Sequence, residues 1–368
     1  MRIGMKISPL TVLRAGIPNY IIHLLKALAE ADDSNEYVLY TNRPLPFELR
    51  LPDRFRTVIV TFPSPHLQLW YQIGLPMQMK KDGIQLYHDP VYPLPFVLPV
   101  PGVITVHDLS NFTNPGVHKF RSALSGRFFP AHLRKARQII TDSFYTASEL
   151  VRLFPRVECK VNVVHLGISN SFRKVIDLQV LDSLKERLRL PSQFILFLGT
   201  LEPRKNLQRL LEAFAVSCVE IPHSLVITGG LGWKYEELLE LVSDHPFKER
   251  IHLTGFVEER DLAPLLSLAE FLVYPSILEG FGFPVLEAMA CGTPVITSNV
   301  SSMPEIAGDA ALLVDPLSVD SISNAINVLG SDRELRTVLS ERGLIRASTF
   351  SWKDTARKTL DVYKKVLE

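Results

Sequence analysis

The chain has 368 residues, 46% hydrophobic and 21% charged, with 40 Lys and Arg against 39 Asp and Glu for a formal net charge of +1. The composition is globular, the near-neutral charge argues against nucleic acid as a general partner, and the length exceeds what one ordinary core supports, so two domains are expected. Cys159, Cys218 and Cys291 are odd in number and far apart, which suggests neither a disulfide framework nor a zinc site and fits a reducing cytoplasm.

Taken in order, Met1 to Ile7 reads as a first β-strand over Ile3–Ile7 with no apolar leader or cleavage site. Pro18 to Ala29 reads as a helix with Ile21, Leu24, Leu25 and Leu28 on one face. Further strands are expected at Tyr37–Tyr40, Thr57–Val60, Ile84–Tyr87, Val103–Val106, Gln138–Thr141 and Val161–His165. The most apolar stretch, Tyr92 to Val106, is interrupted by Pro93, Pro95, Pro99 and Pro101, so no membrane span is expected. His107 and Asp108 end a strand and therefore sit at the carboxyl edge of a sheet. From His118 to Arg137 there are Lys119, Arg121, Arg127, Arg134, Lys135 and Arg137 but no Asp or Glu, with Phe120, Leu124, Phe128 and Phe129 interleaved. The plain reading is a surface helix pair; the sharper one is a patch for a lipid-diphosphate acceptor or an anionic membrane surface.

Strand signal then stops from Gly167 to Asp177, the expected linker. The second half repeats the alternation, with strands expected at Phe194–Leu198, Leu225–Thr228, Ile251–Leu253, Phe271–Tyr274, Pro294–Thr297 and Leu312–Val314, and helices such as Asn206–Val219 and Glu258–Leu268 between them. Tandem halves of this kind predict two doubly wound parallel-sheet domains, whose ligands bind beyond the carboxyl ends of the strands, in a cleft between the halves. The last stretch, Phe350 to Glu368, reads as a helix with Trp352, Ala356, Leu360, Tyr363 and Leu367 in a stripe.

Two segments carry the chemistry. In Glu202-Pro-Arg-Lys-Asn206 the strand Phe194–Leu198 has just ended, so Arg204 and Lys205 emerge at a sheet's carboxyl edge, where paired cations suit a leaving diphosphate. In Tyr274 to Glu287 a buried strand runs into Glu279, a turn with Gly280 and Gly282, then Pro284 at the first position of a new helix with Glu287 in its first turn. Unpaired N–H groups at that helix start beside permissive glycines make an anion site. A carboxylate beside a diphosphate makes sense if it accepts from sugar or ribose hydroxyls. No Asp-x-Asp occurs in the chain; such a pair would hold a divalent cation on the diphosphate. With Arg204 and Lys205 present, its absence argues for metal-independent chemistry.

The stretch from Glu279 to Glu287 resembles the E-x7-E signature of retaining family 4 glycosyltransferases with the GT-B fold. The likeness extends over nearly the whole chain, through Gly16-Ile17 with Tyr20, Trp70-Tyr-Gln72, Val106-His-Asp108, Leu198-Gly-Thr-Leu-Glu-Pro-Arg-Lys-Asn-Leu207, Leu253-Thr-Gly-Phe-Val257, Ala290-Cys-Gly-Thr-Pro-Val-Ile296, Met303 to Ala311, and Phe350-Ser-Trp352 with Tyr363. It implies an acceptor-side domain over 1–170, a nucleotide-sugar-binding domain over 171–350, and a helix over 351–368 crossing back to the first domain. It further implies a hexosyl transfer from UDP-hexose, such as UDP-glucose, or from GDP-mannose to a saccharide or lipid-linked saccharide in polysaccharide biosynthesis, with no cofactor and no metal. The donor would be held by Gly16, Thr200, Arg204, Lys205, Phe256, Val257, Glu279, Gly280, Phe281, Gly282, Phe283 and Glu287. The reaction would be carried by His107, Glu279, Lys205 and Arg204. In this resemblance Glu279 meets sugar hydroxyls, Glu287 the ribose, and His107 the donor sugar or acceptor hydroxyl. Thr200 stands where the family usually has Arg, and Arg204 supplies the missing charge. Gly16 opens a loop that here carries Pro18 and Asn19 in place of the family's further Gly and Arg. A dehydrogenase would need G-x-G-x-x-G after a strand, which neither Gly280 nor Gly230 opens. A nucleotide-sugar epimerase of the same fold and a non-catalytic nucleotide-sugar sensor remain as alternatives. The expected location is cytoplasmic, peripheral on the inner face of the membrane at most.

Overall fold

The computed structural model describes residues 1–12, 16–62, 69–110, 121–230, 232 and 235–367, without the side chains of 121–127. Lys119 and Phe120, and the side chains of Arg121, Leu124 and Arg127, lie outside the described residues. The chain forms two compact units, one of Met1–Gly167 with Ser351–Glu368 and one of Ile168–Phe350. Among the described residues, no helix is long and apolar enough to cross a membrane.

The first unit holds seven strands, β1 (Arg2–Lys6), β2 (Glu36–Thr41), β3 (Phe55–Ile59), β4 (Leu86–Asp89), β5 (Gly102–Val106), β6 (Gln138–Thr141) and β7 (Val161–Val163). They are parallel in the order β3-β2-β1-β4-β5-β6-β7. Strands buried on both faces read as unbroken apolar runs, and β5 is buried at every residue. The strand order reverses between β1 and β4. There Lys6 Nζ stands 2.8 Å from Asp89 Oδ1, and the Tyr71 and Tyr87 hydroxyls donate to Asp89 Oδ2 at 2.5 and 3.1 Å. The sequence pattern places β4 over Ile84–Tyr87; the structure shifts it to Leu86–Asp89, which puts Asp89 at the strand's carboxyl end.

The second unit repeats the plan with β8 (Phe194–Leu198), β9 (Ser224–Thr228), β10 (Ile251–Gly255), β11 (Phe271–Tyr274), β12 (Val295–Ser298) and β13 (Leu312–Val314) in the parallel order β10-β9-β8-β11-β12-β13. Its reversal lies between β8 and β11. Two doubly wound parallel sheets, with helices on most of the connections between strands, constitute the GT-B architecture.

The helix Trp352–Leu367 belongs to the first unit, where it packs on the helix Ile17–Ala31. Its buried stripe differs from the one read in the sequence. Ala356 and Tyr363 are buried as expected, but Leu360 is half-buried and Leu367 exposed, while Thr355, Thr359, Val362 and Val366 turn inward. The two threonines can do so because their hydroxyls bond to carbonyls, Thr355 Oγ1 to His165 O at 2.8 Å and Thr359 Oγ1 to Thr355 O at 2.7 Å. Where the chain leaves this unit, Gly167 passes so close to Trp352 that a Cβ would lie 2.1 Å from its backbone nitrogen. Only glycine fits that crossing.

Candidate functional site

At the β8/β11 reversal the loops after both strands meet. The turn Pro203–Lys205 follows β8, and Glu279 lies five residues beyond the end of β11. Glu279 is nearly buried, and both carboxylate oxygens are engaged. Oε1 accepts from Lys205 Nζ at 2.5 Å, Tyr274 Oη at 2.8 Å and Ser276 Oγ at 2.6 Å. Oε2 accepts from Arg204 Nη1 at 2.9 Å, and the same Arg204 pairs with Glu202 at 2.6 Å. Lys205 Nζ also donates to Tyr274 Oη at 2.5 Å. Burial alone would raise the Glu279 carboxyl; the charges of Lys205 and Arg204 outweigh it and hold the group down at about 2. Burial, joined by the like charge of Arg204, pulls the Lys205 ammonium below its ordinary range against the pull of Glu279.

The structure thus brings Arg204, Lys205 and Glu279 into one network. Here the two cations and the carboxylate face each other, an arrangement the sequence expectation, with the cations toward a phosphate and the carboxylate toward a sugar, did not include. The reason is geometric: both loops rise from adjacent strands at one sheet edge. The two cations also differ. The Arg204 side chain is 24% exposed and that of Lys205 only 8%, so Arg204 presents the open edge and Lys205 works from beneath. Asn206 does not cap the following helix with its side chain; its amide bonds to Pro275 O and Pro316 O.

The turn beyond Glu279 is braced by two serines the sequence reading did not single out. Ser301 Oγ accepts from Glu279 N at 3.3 Å, and Ser302 Oγ lies 3.0 and 2.9 Å from Glu279 O and Phe281 O. Nothing in their local pattern marks them. Gly282 has φ 107°, and a Cβ there would meet Met303 Cε at 2.2 Å, so the turn admits no side chain. The helix that follows begins at Phe283, one residue before the expected Pro284. The N–H groups of Phe281, Gly282 and Phe283 have no acceptor among the described residues. The rings of Phe281 and Phe283 meet edge to face at 5.3 Å.

Glu287 falls beyond the first turn, correcting the sequence expectation; it is the fifth residue of the helix Phe283–Ala290. It is half-buried, with no hydrogen bond or ion pair among the described residues. Burial, helped by the charge of Glu259, pushes its carboxyl up to about 8. Thr200 is exposed after β8, Phe256 is 73% exposed after β10, and Val257 is buried.

In the first unit His107 follows β5. Its Nδ1 lies 2.6 Å from Asp142 Oδ2, its Nε2 2.8 Å from Pro90 O, and Tyr20 meets the ring edge-on at 4.8 Å. A carbonyl can only accept, so Nε2 carries a proton, and the carboxylate accepts from Nδ1. Burial works against that charge, but Asp142 overrides it and raises the His107 value. The expected contact of His107 with a sugar or acceptor hydroxyl therefore requires release of one of these bonds. Asp142 was missed; its signal was available, since it follows β6 at the same sheet edge as His107. Gly16 adopts φ 89° at the start of the helix Ile17–Ala31, with open space around it. No group of His, Cys, Asp and Glu suited to a metal ion occurs among the described residues.

The chain is similar to known proteins over nearly its whole length. The family model described as Glycosyltransferase Family 4 matches residues 14–172, and that described as Glycosyl transferases group 1 matches residues 182–345. The O-antigen chain mannosyltransferase B of Escherichia coli is 32% identical, over 99% of this chain and all of its own length. Sucrose-phosphate synthase of Thermosynechococcus elongatus superposes with a TM-score of 0.78 at 21% identity, over 100% of this chain and 99% of that one. The Anabaena protein HepE, solved with UDP and glucose, superposes with a TM-score of 0.77 at 17% identity, over 99% of each chain.

Proposed function

The chain belongs to glycosyltransferase family 4, and from that we propose that it is a retaining, metal-independent mannosyltransferase of polysaccharide biosynthesis. The donor is GDP-mannose and the acceptor a saccharide or lipid-linked saccharide hydroxyl. The observation that carries this reading is the Arg204–Glu279–Lys205 network beside the unbonded amides of Phe281, Gly282 and Phe283. The mannosyl choice draws on the name of the full-length Escherichia coli relative.

In the proposed reaction the acceptor oxygen bonds to the anomeric carbon as the bond from that carbon to the phosphate oxygen breaks. The acceptor's proton passes to an oxygen of the departing nucleoside diphosphate. Charge grows on the leaving group, and Arg204 and Lys205 with the three amides meet it; one such fixed donor lowers a barrier by about 3 kcal/mol. Glu279 keeps two desolvated cations side by side and, on the sugar side, accepts from a donor hydroxyl. Glu287 takes the ribose. His107, already cationic, adds fixed positive charge at the first sheet's edge rather than serving as a base.

The test is release of free GDP from GDP-mannose that depends on added acceptor, run beside UDP-glucose. Acceptor-independent binding without turnover would establish a sensor instead, and turnover of UDP-glucose alone would replace the donor.

A further inference from the structure

Four side chains from four elements of the first unit form one buried hydrogen-bonded line. The Tyr363 hydroxyl, on the helix Trp352–Leu367, lies 2.7 Å from Nδ1 of His88 on β4. His88 Nε2 lies 2.9 Å from Thr105 Oγ1 on β5, and that oxygen lies 3.1 Å from the hydroxyl of Tyr20 on the helix Ile17–Ala31. Tyr20 is 2% exposed and the other three 0%. The line ends at Tyr20, whose ring meets two others. It stands nearly perpendicular to the His107 ring at 4.8 Å, and it lies 6.3 Å from the ring of Trp352, on the same helix as Tyr363. Trp352 in turn stacks on His23 at 5.2 Å.

Burial, joined by the charge of His107, holds the His88 imidazole down at about 3, so it is neutral. A neutral imidazole has one N–H and one bare nitrogen. His88 therefore passes on a direction: where Tyr363 donates to it, it donates to Thr105, and where Thr105 donates to it, it donates to Tyr363. Apolar side chains of like shape could fill this core without needing partners, whereas each of these buried polar groups must keep its bond, and that fixes where it sits. His107 needs such support. Its ring is bonded to Asp142 and to Pro90 O, and contact with a substrate requires release of one of the two. A single remaining bond lets the ring turn about it. The Tyr20 ring limits that turn, and Tyr20 is itself fixed at its hydroxyl by the line and at its ring by Trp352. We propose that Tyr363 is a positioning residue for His107, setting the plane of the His107 ring through His88, Thr105 and Tyr20. Its bearing on catalysis rests on the reading that His107 serves the transfer.

The experiment compares Tyr363→Phe and Tyr20→Phe, which remove only hydroxyls, with Val366→Ala, which removes packing from the buried side of the same helix without touching the line. Turnover of GDP-mannose and the proton NMR signal of the His107 ring, identified as the one missing from His107→Gln, are read on the full chain. Each hydroxyl deletion should lower kcat at least ~5-fold, the loss of about one hydrogen bond, with KM for GDP-mannose unchanged. Each should also move the His107 signal, because the Tyr20 ring beside it shifts. Tyr20→Phe combined with Tyr363→Phe should cost no more than the worse single variant, since both cut the same line. Val366→Ala should lower Tm and leave kcat and the His107 signal as in the parent. A folded Tyr363→Phe with the parent's kcat or an unmoved His107 signal, equal changes from Val366→Ala, or a double variant whose losses multiply would overturn the proposal. If Tyr363→Phe unfolds, Thr105→Val, which cuts the line at its middle, is read in the same way. If the parent itself transfers no sugar, the transfer reading fails on its own. The His107 signal then decides here, moved by Tyr363→Phe in support and unmoved against.

Discussion

Lys205 Nζ and Glu279 Oε1 lie 2.5 Å apart across the β8/β11 reversal of strand order. The first unit has a counterpart, Lys6 and Asp89 at 2.8 Å across the β1/β4 reversal. In each sheet the loops at the reversal leave in opposite directions, opening the crevice where ligands bind in such folds. A buried lysine–carboxylate pair stands at each crevice floor. The two differ in surroundings: Asp89 is joined to Lys6 and two tyrosines, and burial raises its value. Glu279 has two cations and is held low.

Replacing Glu279 by Ala should abolish transfer, with turnover falling at least ~100-fold, while GDP still binds because Lys205 and Arg204 lose their competing anion. Leaving Lys205 buried without its partner should also cost about 3 kcal/mol of stability. Product formation, calorimetry and a melting curve check the three parts; turnover equal to the parent's would remove Glu279 from the sugar contact.

Lys205→Ala should weaken binding of free GDP by at least ~10-fold in Kd, the loss of about one charge-assisted hydrogen bond. Calorimetry reads this directly. An unaltered Kd would mean that Lys205 serves only to brace Glu279.

Glu287 should respond to pH in an unusual sense. Its carboxyl is pushed up to about 8 in the folded chain, above the ordinary value of about 4.3. Folding therefore keeps a proton that the unfolded chain releases, and the group destabilises increasingly as pH rises between those values. Glu287→Gln should raise Tm at about pH 8 and leave it unchanged at about pH 4, while weakening GDP-mannose binding through the lost ribose contact. A Tm gain of equal size at both pH values would show that the carboxyl titrates normally.

His107 titrates in the opposite direction. Its value is raised by Asp142, so the pair's contribution is complete below the ordinary histidine value of about 6.5 and fades as pH passes the higher folded value. Asp142→Asn should lower Tm most at about pH 5.5 and least near pH 9. A Tm loss that does not vary with pH would contradict a cationic His107.

Transfer should continue in the presence of EDTA if, as proposed, Arg204, Lys205 and backbone amides meet the charge of the departing diphosphate. Full loss of activity with EDTA, restored by Mg²⁺, would contradict this.

Much of the fold could be read from the sequence because parallel strands buried on both faces are short apolar runs, as Phe194–Leu198 and Phe271–Tyr274 illustrate. Arg204, Lys205 and Glu279 could be placed at a sheet edge for the same reason: each follows the end of such a run. What sequence spacing did not convey was depth and rotamer. It located both cations but not that one lies beneath the other, and it gave Glu279 a sugar contact and Glu287 a ribose contact without conveying that burial and partners set their protonation in opposite directions. The stripe on the last helix was misplaced because Thr355 and Thr359 count as polar in a pattern, although backbone carbonyls satisfy their hydroxyls and let them face inward. Ser302 acts through contacts between residues distant in sequence, which no local pattern records, whereas Asp142 could be read from its place directly after β6.

The helix Trp352–Leu367 carries the Tyr363 hydroxyl that lies 2.7 Å from His88 Nδ1 in the first unit's sheet. A ribosome reaches this residue only after the whole of the second unit has been made. The first unit begun is therefore the last one finished, and the helix Ile17–Ala31 waits through that interval with the face that will receive its partner still wet. A stalled or clipped chain ending before Ser351 would carry a complete second unit beside a first one open to proteases and to chaperones.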